Sequence, residues 1–286
     1  MAVRTVKPGL QSIGNYQLLQ KIATGATALI YEATDMRSQN RVALKVMRIR
    51  KEEKIERDRV EHWLHEAVIV SQLDHDNIVK IHDAEMLDDG AYIAMDYISG
   101  YPMSLRLRKQ EYLTVGECIR ISKAMLRALS VAHGHGVIHG DIKPANIMYD
   151  VVNEIYILTD FGAAYSKHME RQTENTIVGT PAYMSPEQLA GKKLDGRSDL
   201  FSLAVTLYHL LTGYQPFSGN SLPELKRNIL ADEPDLNHLT LPVGIVEVLI
   251  KALQKKPYMR FADAQQMLIS VEYCESQLRE RMQKQV

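Results

Sequence analysis

The chain has 286 residues, a formal net charge of −1, and 45% hydrophobic and 24% charged side chains. This length is sufficient for one large domain or two lobes with a sizeable core. The nearly balanced charge gives no indication of a nucleic-acid partner or a membrane surface, and no apolar run approaches the length of a membrane span. Because the N-terminus MAVRTVKPGL also lacks the apolar core of a signal peptide, we expect a globular protein of the cytoplasm.

The cysteine content agrees with a reducing compartment. Cys118 and Cys274 are far apart in the chain and have no neighbouring candidate ligands. We therefore expect two buried structural thiols, with neither a disulfide nor a metal site.

The first third of the chain reads mostly as short strands. Residues 1–15 are predicted to be a loose arm, and YQLLQKIA, ALIYEATD and RVALKVMRI follow as an antiparallel meander separated by turn-like segments. One helix interrupts this pattern at about 56–72. Its apolar face is predicted at Val60, Leu64, Ala67, Val68 and Ser71.

The pattern becomes helical after MDYISGYP. Thr114 with Glu117 forms a capping-box pair that opens a long helix, and the glycines of HGHG end it. Further capping signals mark three helix boundaries: Ser185 of SPEQL, the pair Ser221 and Glu224, and Gly213 after the nearly apolar run DLFSLAVTLYHLLT. The outline is a small β-rich lobe, a short connector near 96–101 and a larger helical lobe.

The run HGDIKPANIM at 139–148 resembles the catalytic loop His-Arg-Asp-x-Lys-Pro-x-Asn of eukaryotic-like protein kinases. The resemblance implies that Asp141 orients the substrate hydroxyl and accepts its proton. It also implies that Lys143 neutralises charge on the transferred γ-phosphate and that Asn146 holds a magnesium ion. Gly140 occupies the arginine position, where kinases of small molecules such as aminoglycosides often carry glycine.

The segment LTDFG strengthens the resemblance. Asp160 follows Asn146 by fourteen residues, behind the apolar run IYIL. In the family this aspartate chelates the Mg²⁺ that bridges the ATP phosphates, with the phenylalanine, here Phe161, packed beneath it. The resemblance therefore implies ATP and Mg²⁺ as cofactors, with Mn²⁺ as an alternative, and Asn146 and Asp160 as metal ligands.

A loop of small residues, KIATGATALIY, joins the first two strands of the meander. Backbone N–H groups can approach phosphates where side chains are small. The kinase loop reads Gly-x-Gly-x-x-Gly-x-Val, and Ala23, Gly25 and Ala28 fill its glycine positions; an ordinary hairpin loop is the alternative interpretation. The ATP contacts implied here are Ile22, Ala23, Thr24, Gly25, Ala26, Thr27, Ala28, Leu29 and Ile30.

The run VALKV resembles the kinase strand that carries the phosphate-binding lysine. Lys45 alternates with its apolar neighbours Val42, Leu44 and Val46, so it points to the opposite face of the strand. On the following helix, Glu66 precedes HDNIV at the spacing found in the family. The resemblance implies a Lys45–Glu66 ion pair, and a surface glutamate is the alternative.

The run AYIAMDYISG resembles the strand and hinge that hold adenine. Backbone groups of Asp96 and Ile98 would hydrogen-bond the base, and Met95 would guard the rear of its pocket. Ala43 and Met148 complete the ATP contacts that the resemblance implies.

Three later segments are typical of Ser/Thr protein kinases rather than small-molecule kinases. GTPAYMSPE resembles the platform for the substrate peptide, in which Thr180 would bridge the catalytic aspartate and lysine. SDLFSLA resembles the buried helix whose aspartate, here Asp199, ties down the catalytic loop. KPYMR supplies Arg260 as the expected buried partner of Glu187.

From about Tyr16 to Ser270 these motifs together resemble a eukaryotic-like Ser/Thr protein kinase of the bacterial type. The resemblance implies an α+β, bilobal protein-kinase-like fold with a β-rich N-lobe and a mainly helical C-lobe. It implies an enzyme that transfers the γ-phosphate of ATP to hydroxyls of protein substrates. The expected divisions are an arm at 1–15, a kinase domain at 16–270 (N-lobe about 16–97, C-lobe about 98–270) and a helical tail at 271–286.

The sequence shows five departures from the family pattern. They are Ala23, Ala28, Gly140, Ser185 for the usual alanine, and Pro102 where a ribose-binding carboxylate is common. Two alternatives stay open: Ala23, Ala28 and Gly140 support a pseudokinase scaffold that binds nucleotide weakly, and Gly140 alone supports a small-molecule kinase.

The missing arginine also bears on regulation. In the family, an arginine before the catalytic aspartate binds a phosphate on the activation segment. Thr173 and Thr176 are the candidate phosphorylation sites on that segment. Because Gly140 has no side chain to bind such a phosphate, the sequence predicts activity that does not require it.

Overall fold

The computed structural model describes residues 4–7, 10–25, 28–48, 54–161, 181–235 and 241–283. The chain divides into two compact units, one formed by Met1–Asp74 with Ile78–Ser99 and the other by His75–Asn77 with Gly100–Val286. The first is built on a β-sheet and the second is mainly helical, which confirms the predicted α+β class. Across the described ranges, every helix is too short or too polar to cross a membrane.

The N-terminal unit is an antiparallel sheet with one helix, α1, at Lys54–Val70. Its strand order is β1-β2-β3-β4-β5-β7-β6, so the predicted meander occupies the middle of the sheet. The strands are β1 Arg4–Lys7, β2 Leu10–Ile13, β3 Tyr16–Thr24, β4 Ala28–Asp35, β5 Arg41–Arg48, β6 Ile81–Leu87 and β7 Gly90–Asp96.

The expectation of a loose arm over residues 1–15 is wrong for the two segments that form β1 and β2. These strands pair with each other, and β2 continues the sheet by pairing Ile13 with Tyr16. Ile13 is buried in the apolar cluster that contains Tyr16, Leu18 and Leu44. Burial of Ile13 stabilises the pairing of these two strands with the sheet. The sequence of residues 1–15 does not reveal that this isoleucine is buried.

The apolar face of α1 also differs from the prediction. The buried positions are Val60, Trp63, Ala67 and Val70, which recur at three- and four-residue spacing along one stripe. Val68, which the sequence pattern predicts on the buried face, is 51% exposed. Trp63, the largest of the buried side chains, sets the orientation of the helix because it offers the most apolar area to bury.

The C-terminal unit surrounds one central helix, α5, at Gly196–Thr212, which is buried along most of its length, as its apolar sequence predicts. The other helices are α2 Ser104–Arg108, α3 Val115–Gly134, α4 Pro186–Leu189, α6 Leu222–Ala231, α7 Val243–Ala252 and α8 Ala264–Gln283. A small antiparallel sheet is formed by β8 Gly100–Pro102, β9 Ile147–Asp150 and β10 Ile155–Leu158. Cys118 and Cys274 are buried free thiols, as expected.

Helix capping follows the sequence signals closely. Thr114 and Glu117 form the complete capping box at the start of α3, and Ser185 caps α4. At α6 the Ser221 hydroxyl accepts from the N–H of Glu224, but the Glu224 carboxylate accepts from Asn220, one residue before the cap. The second half of that predicted capping box is therefore wrong.

Gly213 ends α5 in the left-handed conformation, with φ of 76°, as its position after the apolar run predicts. A Cβ atom built at this glycine would lie 2.5 Å from ring atoms of Tyr112. Both the backbone conformation and the close approach therefore favour glycine.

We predict that Gly213→Ala lowers the free energy of unfolding by about 2–4 kcal/mol, through backbone strain and the clash with Tyr112. Gly136→Ala is the matched control, because φ is 74° there and no atom lies within 4 Å of the added Cβ. Its cost should be only about 1 kcal/mol. Urea denaturation of both variants checks this, and equal losses would mean that the Tyr112 ring simply moves away.

Candidate active site

The predicted catalytic residues of the C-terminal unit lie in direct contact on the loop between α3 and β9. Lys143 Nζ lies 2.7 Å from Asp141 Oδ2. The Asn146 amide nitrogen donates to the backbone oxygen of Asp141 at 2.8 Å and to Oδ2 at 3.2 Å. The structure therefore brings the proposed base, the proposed cation and the proposed metal ligand together around one carboxylate.

The ring of His139 forms hydrogen bonds that stabilise this loop. Its Nδ1 accepts from the N–H of Asp141 at 3.2 Å, and its Nε2 lies 2.9 Å from the backbone oxygen of Thr159. Because a carbonyl can only accept, the proton is on Nε2. The ring is fully buried, and burial lowers the pKa of His139 against the opposing effect of Asp199. This neutral imidazole packs edge-on against the ring of Phe161, with the centroids 4.6 Å apart.

The two predicted metal ligands are joined through Thr159. The N–H of Thr159 donates to the backbone oxygen of Asn146 at 2.9 Å, and Asp160 follows directly in the chain. Asp160 has a left-handed backbone, with φ of 61°. Such a conformation is costly for a residue other than glycine and is concentrated at functional sites.

The orientation of the Asn146 amide fits a role as a cation ligand. Both of its contacts to Asp141 use Nδ2, so Oδ1 lies on the other side of the amide. Carboxylate and amide oxygens are the ligands that Mg²⁺ accepts in proteins. Asn146 and Asp160 are therefore chemically suitable for this ion.

The backbone of the catalytic loop is held by α5, as predicted. Asp199 is fully buried and accepts from the N–H groups of His139 at 2.9 Å and Gly140 at 2.7 Å. His133 Nε2 lies 2.8 Å from the same carboxylate. His133 was missed by sequence reasoning, because its partner is 66 residues away and no local pattern connects the two.

In the N-terminal unit, the strands on either side of the loop of small residues pair as a hairpin. Ala23 pairs with Ile30 and Thr24 with Leu29, and the N–H of Gly25 donates to the backbone oxygen of Ala28 at 2.8 Å. Among the described residues with positive φ, neither Ala23 nor Ala28 occurs. Alanine at these two positions therefore causes no backbone strain of the kind that requires glycine.

Lys45 lies on the face of β5 predicted for it. Val42, Leu44 and Val46 belong to the apolar cluster on the other face of the strand. Lys45 Nζ lies 5.7 Å from the centroid of the Trp63 ring on α1. Glu66 lies three residues beyond this tryptophan on the same helix, and the Lys45–Glu66 ion pair stays a prediction.

The residues predicted to form the hinge lie at the end of β7 and in the segment after it. Met95 is buried and pairs with Ala43 on β5. The N–H of Asp96 donates to the backbone oxygen of Lys80, so a base contact from Asp96 would have to use its carbonyl. Ile98 is half-buried in the same unit, while Met148 lies on β9 of the other unit.

Five of the residues selected from the sequence lie outside the described residues. They are Ala26, Thr27, Thr173, Thr176 and Thr180. Their roles as nucleotide contacts, phosphorylation sites and bridging hydroxyl stay predictions.

The predicted ion pair between Glu187 and Arg260 is present and almost fully buried. Arg260 binds both carboxylate oxygens, at 2.7 and 2.8 Å, and the Ser198 hydroxyl donates to Oε1 at 2.6 Å. The other guanidinium N–H groups donate to the backbone oxygens of Arg197, Gln254 and Lys255. All five guanidinium donors are thus satisfied, which is the condition under which a buried ion pair holds together.

Burial alone would raise the pKa of Glu187, but the Arg260 hydrogen bonds hold it below the ordinary value of 4.5. A carboxyl with a lowered folded-state pKa stabilises the fold above its unfolded pKa. This contribution is lost as the pH falls through the folded-state value.

Residues 16–273 match the family model described as the protein kinase domain. The chain belongs to this family. It is 32% identical over 263 residues to the serine/threonine-protein kinase PrkC of Bacillus subtilis, and 31% identical over 259 residues to PknA of Mycobacterium tuberculosis. These alignments cover 91% and 88% of this chain, but the chain spans only 40% and 59% of those relatives.

The fold of this protein kinase domain also matches solved structures. The kinase domain of PknI from Mycobacterium tuberculosis superposes with a TM-score of 0.71 at 26% identity, covering 92% of this chain and 97% of that one. The recognition of a bacterial type of eukaryotic-like kinase is thereby confirmed.

We predict that Arg260→Met in this kinase domain lowers the free energy of unfolding by about 3–5 kcal/mol, because the Glu187 carboxylate would stay buried without its partner. Glu272→Ala is the matched control, since its pair with Arg127 has exposed side chains. That change should cost less than about 1 kcal/mol. Denaturant unfolding of both variants gives the comparison, and similar losses would show that the buried pair contributes no more than the surface pair.

Proposed function

We propose that this protein kinase domain transfers the γ-phosphate of ATP to serine and threonine hydroxyls of protein substrates. The contacts of Asp141 with Lys143 and Asn146 are the observation that carries the proposal. Kinase catalysis depends mainly on positioning and charge neutralisation, which such contacts provide. The relatives named as serine/threonine-protein kinases support the same assignment.

In this proposal Asp141 orients the attacking hydroxyl and takes its proton. Lys143, at 2.7 Å from the Asp141 carboxylate, keeps one cationic group beside the position of the transferred phosphoryl group. Asn146 restrains the same aspartate through its amide nitrogen. Thr180 is proposed to bridge the aspartate and lysine, as in the family.

Asn146 and Asp160 would hold Mg²⁺, with Mn²⁺ as an alternative. A bound divalent ion supplies charge neutralisation of the phosphate oxygens. The link through Thr159 and the orientation of the Asn146 amide support this pair of ligands.

The nucleotide contacts proposed for the N-terminal unit follow the family pattern. Lys45, fixed by Glu66, would bind the α- and β-phosphates, and the hairpin around Gly25 would cover them. Asp96 and Ile98 would contact adenine through their backbones. We place the protein in the cytoplasm, where ATP and protein substrates are available.

We predict that Asp141→Asn and Asp160→Asn each reduce phosphoryl transfer at least about hundredfold. Asp160→Asn should also weaken Mg·ATP binding, whereas Asp141→Asn should largely spare it. The measurement uses labelled ATP, Mg²⁺ and a generic protein substrate, with nucleotide binding followed separately.

The wild-type result distinguishes the alternatives. Label in protein that disappears in Asp141→Asn supports the proposal. Nucleotide binding without transfer would indicate a pseudokinase, and transfer to aminoglycosides but not to protein would indicate a small-molecule kinase. Wild-type activity in either aspartate variant would contradict the residue assignment.

We also propose that activity does not require a phosphate on the activation segment, because Gly140 offers no side chain to bind one. The prediction is that Thr173→Ala combined with Thr176→Ala retains turnover of an exogenous substrate within about tenfold. Circular dichroism confirms the fold of the variant before the assay. A larger loss would show that another basic group has taken the role of the arginine.

A further inference from the structure

A buried glutamine next to the Glu187 ion pair reaches the catalytic loop. Gln188 on α4 is 4% exposed, and its Nε2 donates to the backbone oxygen of Gly140 at 2.7 Å. Its Oε1 accepts from the N–H of Ser185 at 2.9 Å as part of the capping box. The capping bond fixes which end of the amide faces the loop, so the donor is directed at Gly140.

The oxygen that Gln188 binds belongs to the peptide group joining Gly140 to Asp141. The N–H of the same peptide group donates to His139 Nδ1 at 3.2 Å. Gln188 and His139 therefore hold the two ends of this peptide group. Its plane sets the direction in which the chain enters Asp141, and with it the position of the carboxylate.

Glycine makes this contact more important than a larger residue would. Gly140 has φ of 68°, a left-handed conformation that glycine adopts without the steric cost that arginine would incur. The same lack of a Cβ atom leaves the peptide group free to rotate into other conformations. Asp199 binds the N–H of Gly140, but it does not constrain the carbonyl that follows.

We propose that Gln188 is a positioning residue for Asp141. The side-chain amide of Gln188 restrains the Gly140–Asp141 peptide group. The inference rests on the proposed kinase function. It links α4, which closely follows the GTPAYM segment, to the geometry of the proposed base. Gln188 contacts neither substrate nor nucleotide in this account and acts through the backbone of Gly140.

Two substitutions separate the contact from the cap. Gln188→Met is close in size and removes both hydrogen bonds. Gln188→Glu keeps an oxygen to accept from Ser185 but presents a carboxyl instead of an N–H donor to Gly140. Thr114→Ala is the control for loss of a capping box, because it weakens the equivalent arrangement at α3.

We expect kcat to fall about tenfold or more in Gln188→Met and Gln188→Glu at neutral pH, with KM for Mg·ATP within about twofold of wild type. Thr114→Ala should keep the wild-type kcat, although its melting temperature should be similar to those of the Gln188 variants. Protonation of the introduced carboxylate would restore a donor, because a neutral carboxyl can donate its O–H to Gly140. Activity of Gln188→Glu relative to wild type should therefore rise as the pH is lowered, while the ratio for Gln188→Met stays constant.

Each other outcome overturns the inference. A folded Gln188→Met with kcat within about twofold of wild type would show that the contact does not position Asp141. Equal losses of kcat in Gln188→Met and Thr114→Ala, or a pH-independent ratio for Gln188→Glu, would reduce Gln188 to a capping residue. If wild type itself transfers no phosphate, the proposed function fails and this inference fails with it.

Discussion

The buried carboxylate of Asp199 is the group on which the geometry of the catalytic loop depends. Removing a carboxylate from water costs several kcal/mol or more unless hydrogen bonds replace the lost hydration. Here the N–H groups of His139 and Gly140 and the imidazole of His133 surround it. Since two of these donors belong to the loop, the loop cannot move away without removing two hydrogen bonds from this buried carboxylate. The fold therefore fixes the loop through the Asp199 carboxylate, the group for which loss of hydrogen bonds is most costly.

The helix that carries Asp199 serves the site at several points. Helix α5 is nearly apolar, yet its buried polar side chains reach segments distant in sequence. Ser198 donates to Glu187 and so meets the Arg260 ion pair, and Thr206 donates to the backbone oxygen of Ile142 at 3.4 Å. The first contact joins α5 to the short helix α4, and the second joins α5 to the catalytic loop. Apolar packing of α5 supplies the stability, and these contacts transmit its position to the catalytic loop and to α4.

Features that are formed by local interactions could be predicted from the sequence. The caps at Thr114 and Ser185 were predictable because a hydroxyl and an acceptor three residues later satisfy each other without help from the rest of the fold. The contact between Asp141 and Asn146 was predictable because the resemblance to a family carries geometry that spacing alone does not. The Asp199 anchor was predicted by the same route.

The features that could not be predicted from the sequence all depend on packing between residues distant in the chain. Ile13 makes β2 part of the sheet only because a core cluster formed by other strands receives it. The stripe on α1 is chosen by Trp63, whose burial depends on the sheet beside it. His133 and Gln188 bind partners 66 and 48 residues away, so nothing in their neighbourhoods indicates either contact. Such residues become visible only when the folded chain brings their partners to them.

An arginine at position 140 would contribute both the backbone of the catalytic loop and a side chain that binds phosphate. Gly140 contributes only the backbone. The contacts made by residues 139 to 141 to Asp199, Gln188 and the ring of His139 use backbone atoms, so they do not depend on the side chain at this position. An arginine there would add a phosphate-binding group but would have to adopt a strained left-handed backbone. Glycine removes both the strain and the phosphate-binding group. Loop geometry can therefore persist without the arginine, provided that buried partners restrain the freedom that glycine introduces.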